Sequence, residues 1–216
     1  KLIDVTSLAE QGDSSYLNEF QYIVDIHNHL IENVIPSSLQ EKTKAEIASL
    51  HNELENIIKG IFFIKEASPK AFGTILSYAF KISAIIVSSF IDAKLEDTDK
   101  FVKISDTVAD IGESAKLIRE KFSKTNGLVV LSGRALDNTL GAGCNDSNYI
   151  ASIFAYALKA ESLEIWGTTD VFMTADPSVI SKAYTIEKLS YSEATELCNF
   201  ESITLEPKVL YPVYAE

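Results

Sequence analysis

Two glycines and the polar run behind them are the part of this sequence best suited to holding an anion. Gly141-Ala142-Gly143 leads into residues 144–148, and a helix is expected to start at about Ser147. Backbone N–H groups of a glycine turn and of a helix N-terminus point toward negative charge, so they could bind a carboxylate or a phosphate. A tight turn explains the glycines equally well, and Asp146 or Ser147 is also a good helix cap.

Two aspartates farther along the chain are the next candidates for polar chemistry. Asp170 and Asp176 could orient a charged ligand, although Asp176 stands before Pro177 and also fits the start of a turn. Trp166 precedes them, and a tryptophan in this position is expected in the core rather than as a platform for a ligand.

Metal-ligating residues are present, but their spacing is unfavourable. His27 and His29 are two residues apart and would face different sides of a helix, and His27 falls on an apolar stripe where a packed histidine is expected. His51 is expected on a helix surface. The cluster Glu96-Asp97-Asp99 could bind a divalent cation, but its spacing fits no ion-binding loop, which favours a solvated acidic turn. We expect no metal site.

The charge balance limits the partners of the chain. Its 216 residues carry a formal net charge of -12, which repels nucleic acid and anionic membranes at long range. An anionic ligand would therefore need local cations. The longest apolar stretches, such as Ile82 to Ile91, are interrupted by serines, so no membrane span is predicted.

The cysteines indicate a reducing environment. Cys144 and Cys198 cannot staple a domain of this length and have no metal-binding spacing, so a cytoplasmic location is expected. The sequence opens on Lys1 without a methionine or a basic, apolar leader, which is consistent with a fragment.

The elements that must position these residues are helical in the first half. An apolar stripe at three- and four-residue spacing predicts a helix over residues 16–36, with its N-cap among residues 13–15. A second stripe predicts a helix that begins after residues 37–38. Ser68-Pro69 predicts the N-terminus of a third helix, which continues to about Asp92.

Helices and short β-rich runs alternate in the second half. Strands are predicted at Phe101 to Ile104, Leu128 to Leu131 and Leu163 to Trp166, with helices over residues 106–122 and 147–160 between them. This alternation is typical of α/β layers. We predict one α/β domain over residues 1–216, with a helical lobe of about residues 1–95 and an α/β part of about 96–216.

Three segments of the chain resemble the catalytic domain of aspartokinases. Glu164-Ile165-Trp166, Met173 to Pro177 and Leu189 to Ala194 match the family's Ile-Trp, Thr-x-Asp-Pro and Ser-Tyr-x-Glu-Ala segments. The resemblance implies a three-layer α/β/α sandwich of amino-acid-kinase type. It also implies transfer of the ATP γ-phosphate to L-aspartate, giving 4-phospho-L-aspartate, with Mg as the metal. A bifunctional aspartokinase–homoserine dehydrogenase is one possible source of such a domain.

The resemblance also assigns substrate positions, and these have changed. Phe80 stands where the family has the glutamate that holds the substrate's amino group. The family's Gly-Arg-Gly-Gly-Ser-Asp loop aligns in two ways. Its arginine becomes Ala142 with Asp146 keeping the acid, or Cys144 with Asn148 replacing the acid and Ser147 kept. A phenyl ring cannot replace a carboxylate, and neither alignment keeps the arginine. Arg134 is the nearby alternative.

The nucleotide positions have changed in the same manner. The family's Thr-Asp after tryptophan is Gly167-Thr168, and its later aspartate is kept as Asp170. Ser178 replaces the arginine after Asp176-Pro177, and Ile203 replaces a lysine. Binding of ATP and Mg is therefore implied by the family but doubtful for this chain.

These losses predict a non-catalytic or strongly impaired member of the aspartokinase family. Loss of one preorganised charge-stabilising donor typically costs about 3–4 kcal/mol of transition-state stabilisation. We expect such a protein to associate with itself or with an active aspartokinase relative. The alternative is a working aspartokinase in amino-acid biosynthesis, of which this chain is a portion. The family's Lys-Phe-Gly-Gly-Thr-Ser loop and regulatory ACT domains are not in the sequence.

Overall fold

The computed structural model describes residues 1–105, 108–133, 147–166, 172–175, 179–199 and 205–214. The helices of these ranges are α1 (Leu2–Glu10), α2 (Tyr16–Val34), α3 (Ser37–Ile64), α4 (Pro69–Phe90), α5 (Ile111–Phe122), α6 (Ser147–Leu158), α7 (Tyr191–Leu197) and α8 (Tyr211–Tyr214). The strands are β1 (Lys94–Glu96), β2 (Ile104–Ser105), β3 (Val108–Ala109) and β4 (Val129–Leu131).

The predicted helices of the first half are confirmed. α2 and α3 follow their apolar stripes, and α4 begins at Pro69 with the Ser68 hydroxyl oxygen accepting a hydrogen bond from the Ala71 N–H at 3.2 Å. Such a cap contributes about 1 kcal/mol to helix stability. Lys65 ends α3 in the left-handed conformation, with φ 60°.

Four helices bury their apolar stripes against one another. Their shared core is formed by Val5 and Ala9 of α1, Phe20 and Ile23 of α2, Leu54 and Ile58 of α3, and Ile75 of α4. Burying one such large side chain stabilises the fold by about 1.5–3 kcal/mol. A smaller cluster of buried isoleucines is formed by the end of α2, the first half of α3 and the second half of α4.

α4 corrects the expectation that no segment is long enough to span a membrane. Among the described residues, Pro69–Phe90 passes that test by length and composition. One such helix is weak evidence, because the core helix of a soluble protein passes the same test. Ile75 and Ile82 of α4 are fully buried in the protein interior, and α4 packs on α1, α3, β1 and β4.

A parallel pair of strands supports the second half. β1 pairs with β4 in the register Lys94 to Val129 and Glu96 to Leu131, and β2 pairs with β3 as a short antiparallel ladder. α4 packs on the pair, and Leu131 packs into the core that α5 and α6 share. The fold is thus mostly helical with a small parallel sheet, while the three-layer sandwich stays a prediction.

Several predicted boundaries were wrong for identifiable reasons. Phe101 and Val102 are buried but form no strand, because their N–H groups bond to the Thr98 carbonyl in a 3-10 turn. The first strand is instead Lys94–Glu96, which has one apolar residue and therefore no alternating pattern that would predict it. α5 starts at Ile111, where Asp110 caps it, five residues later than predicted.

The ends of α6 and of the following segment also differ from the prediction. α6 ends at Leu158, before Lys159, whose φ is 52°. Leu163 to Trp166 forms no ladder within the described part of the chain, so the buried strand predicted there is wrong. Leu163 and Ile165 are half-buried, whereas Glu164 and Trp166 are exposed.

Two histidine side chains contact each other between α2 and α3. Nδ1 of His27 lies 2.8 Å from Nε2 of His51, and the rings stack with an interplanar angle of 12°. His51 is only 6% exposed, so its expected surface position is wrong. Burial lowers the pKa of His27, and burial together with the neighbouring His27 lowers the pKa of His51 to about 4.

The buried pair of His27 and His51 leads us to expect that the protein loses stability in acid. Because the folded pKa of His51 lies below the unfolded value of about 6.5, its contribution is complete above pH 6.5 and is lost as the pH falls toward 4. Between pH 7 and pH 5 we expect the free energy of unfolding to drop by about 2 kcal/mol more in the wild type than in His51→Phe. Urea unfolding at both pH values measures the difference.

His29 provides the matched control for this experiment, since it lies on α2 but is exposed. His29→Gln should keep the wild-type pH dependence. An equal loss in the wild type and in His51→Phe would show that the buried pair does not govern acid stability.

Candidate functional site

The carboxyl ends of β1 and β4 lie side by side, and in open α/β sheets ligands bind beyond such ends. Asp97 and Thr98 follow β1, and Ser132 and Gly133 follow β4. The Thr98 N–H donates to the Ser132 hydroxyl at 3.4 Å, and the Thr98 hydroxyl donates to the Ser132 carbonyl. Both residues are buried, so these bonds hold the two strand ends together.

Gly133 is the point at which three elements converge. A Cβ on this residue would lie 2.9 Å from Cβ of Ser147 and 3.4 Å from Cδ1 of Phe80. The end of β4, the start of α6 and the middle of α4 therefore approach one another at a position where only a hydrogen fits.

The structure thus brings two of the predicted substrate positions to one place. Phe80 is half-buried on α4, Ser147 is the exposed first residue of α6, and Asn148 is half-buried beside it. The other predicted positions of this set, Ala142, Cys144 and Asp146, lie outside the described residues, as does Arg134.

The predicted nucleotide positions all lie outside the described residues. They are Gly167, Thr168, Asp170, Asp176, Ser178 and Ile203. The neighbouring Trp166 is 89% exposed, so its expected core position is wrong. Leu163 and Ile165 face the protein, which turns Glu164 and Trp166 outward, and the indole N–H donates to Glu164 at 3.2 Å.

The Ser-Tyr-x-Glu-Ala segment has a clear structural role at the start of α7. The Ser190 hydroxyl oxygen accepts from the Glu193 N–H at 3.2 Å, and the Ser190 N–H donates to Glu193 Oε2 at 2.8 Å. Hydrogen bonds from Ser190 hold the pKa of Glu193 below its usual value. This reciprocal capping box explains the motif without a ligand.

The acidic cluster Glu96-Asp97-Asp99, at the end of β1, is not the solvated turn that the sequence favoured. Glu96 is 8% exposed, and its Oε1 lies 2.9 Å from the Lys94 ammonium and 3.1 Å from that of Lys121. Hydrogen bonds from the two lysines lower the pKa of Glu96. Asp97 caps the following 3-10 turn, because its carboxylate accepts a hydrogen bond from the Asp99 N–H.

Within the described residues, no group of three or more His, Cys, Asp or Glu side chains could hold a metal ion.

Sequence reasoning missed Thr98, Ser132 and Gly133. A signal for two of them was available, because a small polar residue and a glycine directly after a strand often allow a close approach at a strand end. Together with Phe80 and Ser147 they offer three hydroxyls, backbone groups and an apolar ring, and the charged group beside them is the Asp97 carboxylate, which accepts from the Ser132 hydroxyl at 3.4 Å.

The convergence at Gly133 predicts a cost for any larger residue. Gly133→Ala should lower the free energy of unfolding by about 1–3 kcal/mol, because Ser147 must move away from the added methyl group. Chemical denaturation measures the loss. Gly73→Ala on α4, where no atom lies within 4 Å of an added Cβ, should be neutral or stabilising by about 0.5–1 kcal/mol. Equal effects of the two substitutions would rule out the close approach.

Comparison with known proteins gives a consistent family. The model of the amino acid kinase family matches residues 19–216. The bifunctional aspartokinase/homoserine dehydrogenase of Buchnera aphidicola subsp. Acyrthosiphon pisum is 26% identical over 99% of this chain and 26% of its own length. The lysine-sensitive aspartokinase 3 of Escherichia coli is 25% identical over 76% of this chain and 41% of its own length.

Solved structures show the same fold. Aspartokinase III of E. coli in complex with aspartate and ADP has a TM-score of 0.82 and 24% identity, and it covers all of this chain and 51% of its own. The complex of that enzyme with lysine and aspartate gives a TM-score of 0.77 at 22% identity. The chain therefore spans between about a quarter and a half of the length of the relatives it matches.

Proposed function

The chain belongs to the amino acid kinase family, and from this premise we propose that it is an aspartokinase-type protein whose transfer of phosphate from ATP to L-aspartate is strongly impaired or lost. The residues of the candidate site and the relatives' names support this substrate class. Within the described ranges, the predicted aspartate position is represented by Phe80, Ser147 and Asn148.

Phe80 is the observation that carries the proposal. The family resemblance assigns position 80 to an acid that binds the ammonium group of aspartate, and the phenyl ring lies at this position against Gly133, beside Ser147. A charged hydrogen-bonding partner contributes about 1.5–3 kcal/mol, whereas an ammonium over a phenyl face at an exposed site gains about 0.5–1 kcal/mol. The substrate would therefore bind weakly and without a fixed orientation.

Orientation matters because phosphoryl transfer depends on positioning and on neutralising charge. When bound, ATP would supply the phosphoryl group and Mg would neutralise part of its charge. The residues that would contact them lie outside the described ranges, so nucleotide binding is proposed from the family alone. ADP is bound in the E. coli neighbour, which supports nucleotide binding more than the doubt that the sequence raised.

Restoring the acid tests the role of position 80. We expect Phe80→Glu to bind L-aspartate roughly ten- to a hundredfold more tightly than Phe80→Gln, because only the charged side chain pairs with the ammonium group. Isothermal titration calorimetry measures both variants and the wild type. Phe90→Glu adds an acid at an exposed position of the same helix and should leave aspartate affinity unchanged.

A coupled assay of ADP release tests the reaction itself. The wild-type gene product, with Mg-ATP, should show no aspartate-dependent release of ADP above its aspartate-free rate. Rapid release that depends on aspartate while Phe80 is intact would overturn the impairment and favour the second candidate.

The second candidate is a working aspartokinase of which this chain is one portion. The observation in its favour is coverage, because the chain accounts for 51% of the E. coli enzyme and 26% of the Buchnera protein.

The proposal of an impaired aspartokinase also includes association with a second copy or with an active relative, and a cytoplasmic location. Size-exclusion chromatography with light scattering tests the self-association.

A further inference from the structure

A cavity of about 300 Å³ lies beside the candidate site, between α3, α4 and the end of β1. It is separate from the Phe80 position. Phe80 and Lys81 are consecutive on α4 and point about 100° apart, and Phe80 contacts Gly133 while Lys81 lines the cavity. Ser132 also lines it, so an occupant would lie one residue from Gly133.

One part of the cavity wall is apolar. Leu50 of α3, Ile85 of α4 and Leu95 of β1 line it. Leu95 is 37% exposed although it stands in a strand, so a hydrophobic group in the cavity would remove apolar surface from water.

The charged residues of the wall differ in whether their charge is already paired. Glu96 lines the cavity, but its carboxylate holds Lys94 and Lys121. Glu46, Lys81 and Asp97 also line it, and none of these three forms a salt bridge with another described residue, although Oδ1 of Asp97 accepts hydrogen bonds from the Asp99 N–H and the Ser132 hydroxyl, at 3.4 Å each. The cavity thus presents one ammonium and two carboxylates around an apolar wall.

We propose that this cavity binds a small zwitterion with an apolar body, namely an α-amino acid with a branched aliphatic side chain. Its carboxylate pairs with the Lys81 ammonium, its ammonium lies between Glu46 and Asp97, and its side chain packs on Leu50, Ile85 and Leu95. A molecule of the size of leucine fits a cavity of this volume. Aspartate does not suit it, because its side-chain carboxylate would lie against the apolar wall of Leu50, Ile85 and Leu95 without a partner.

Three matched ligands test the zwitterion requirement by calorimetry. L-Leucine should bind at least tenfold more tightly than 3-methylbutylamine, which lacks the carboxylate, and than 4-methylpentanoate, which lacks the ammonium. Failure of the amino acid to exceed both analogues, or no binding of leucine at millimolar concentration, would overturn the proposal.

Substitutions test which charged side chain of the cavity pairs with which group of the ligand. Lys81→Met should weaken leucine binding at least tenfold and leave 3-methylbutylamine unchanged, and Lys81→Gln should behave in the same manner. Glu46→Gln combined with Asp97→Asn should weaken leucine and spare 4-methylpentanoate. Lys59→Met, at an exposed position of α3 outside the cavity, serves as the control and should bind leucine as the wild type does.

Competition separates this cavity from the proposed aspartate site. Saturating L-aspartate should leave leucine affinity unchanged, and Phe80→Glu should not alter it. Displacement of leucine by aspartate would place both in one site and overturn the proposal, whereas the results for position 80 stand or fall independently.

Discussion

The close approach at Gly133 is the constraint on which the site depends. Because this residue has no Cβ, α4 and α6 can both reach the end of β4, and Phe80 and Ser147 meet there. The hydrogen bonds between Thr98 and Ser132 hold β1 at the same edge, so both strand ends and both helices share one small region. Residues far apart in the sequence become neighbours through this one contact.

The chemistry of that region follows from where the charges lie. At the end of β1, the buried Glu96 carboxylate is neutralised by the ammonium groups of Lys94 and of Lys121 on α5. Phe80 places an apolar ring against Gly133 in the same region. The fold around the site is thus maintained by packing and by hydrogen bonds, and the Asp97 carboxylate at the same strand end accepts from the Asp99 N–H and the Ser132 hydroxyl.

The helical half could be predicted because its signals are local. α2 and α3 follow from the spacing of apolar residues, and α4 follows from the Ser68 cap and Pro69. His51, Glu96 and Trp166 could not be predicted, because their burial depends on partners or on facing directions that no local pattern carries. His51 is buried by His27 on another helix, and Glu96 is neutralised by a lysine 25 positions away. Lys94–Glu96 could not be predicted either, because a three-residue strand with a single apolar residue has almost no sequence pattern.

Diffraction from a crystal of the complete gene product, soaked with L-aspartate and ADP, tests the central claim most directly. We predict that no aspartate is ordered at the Phe80 ring, since a phenyl ring does not fix the ammonium group of a ligand. An aspartate held in this region with its ammonium bonded to a carboxylate from another part of the chain, in an orientation suited to phosphoryl transfer, would contradict it.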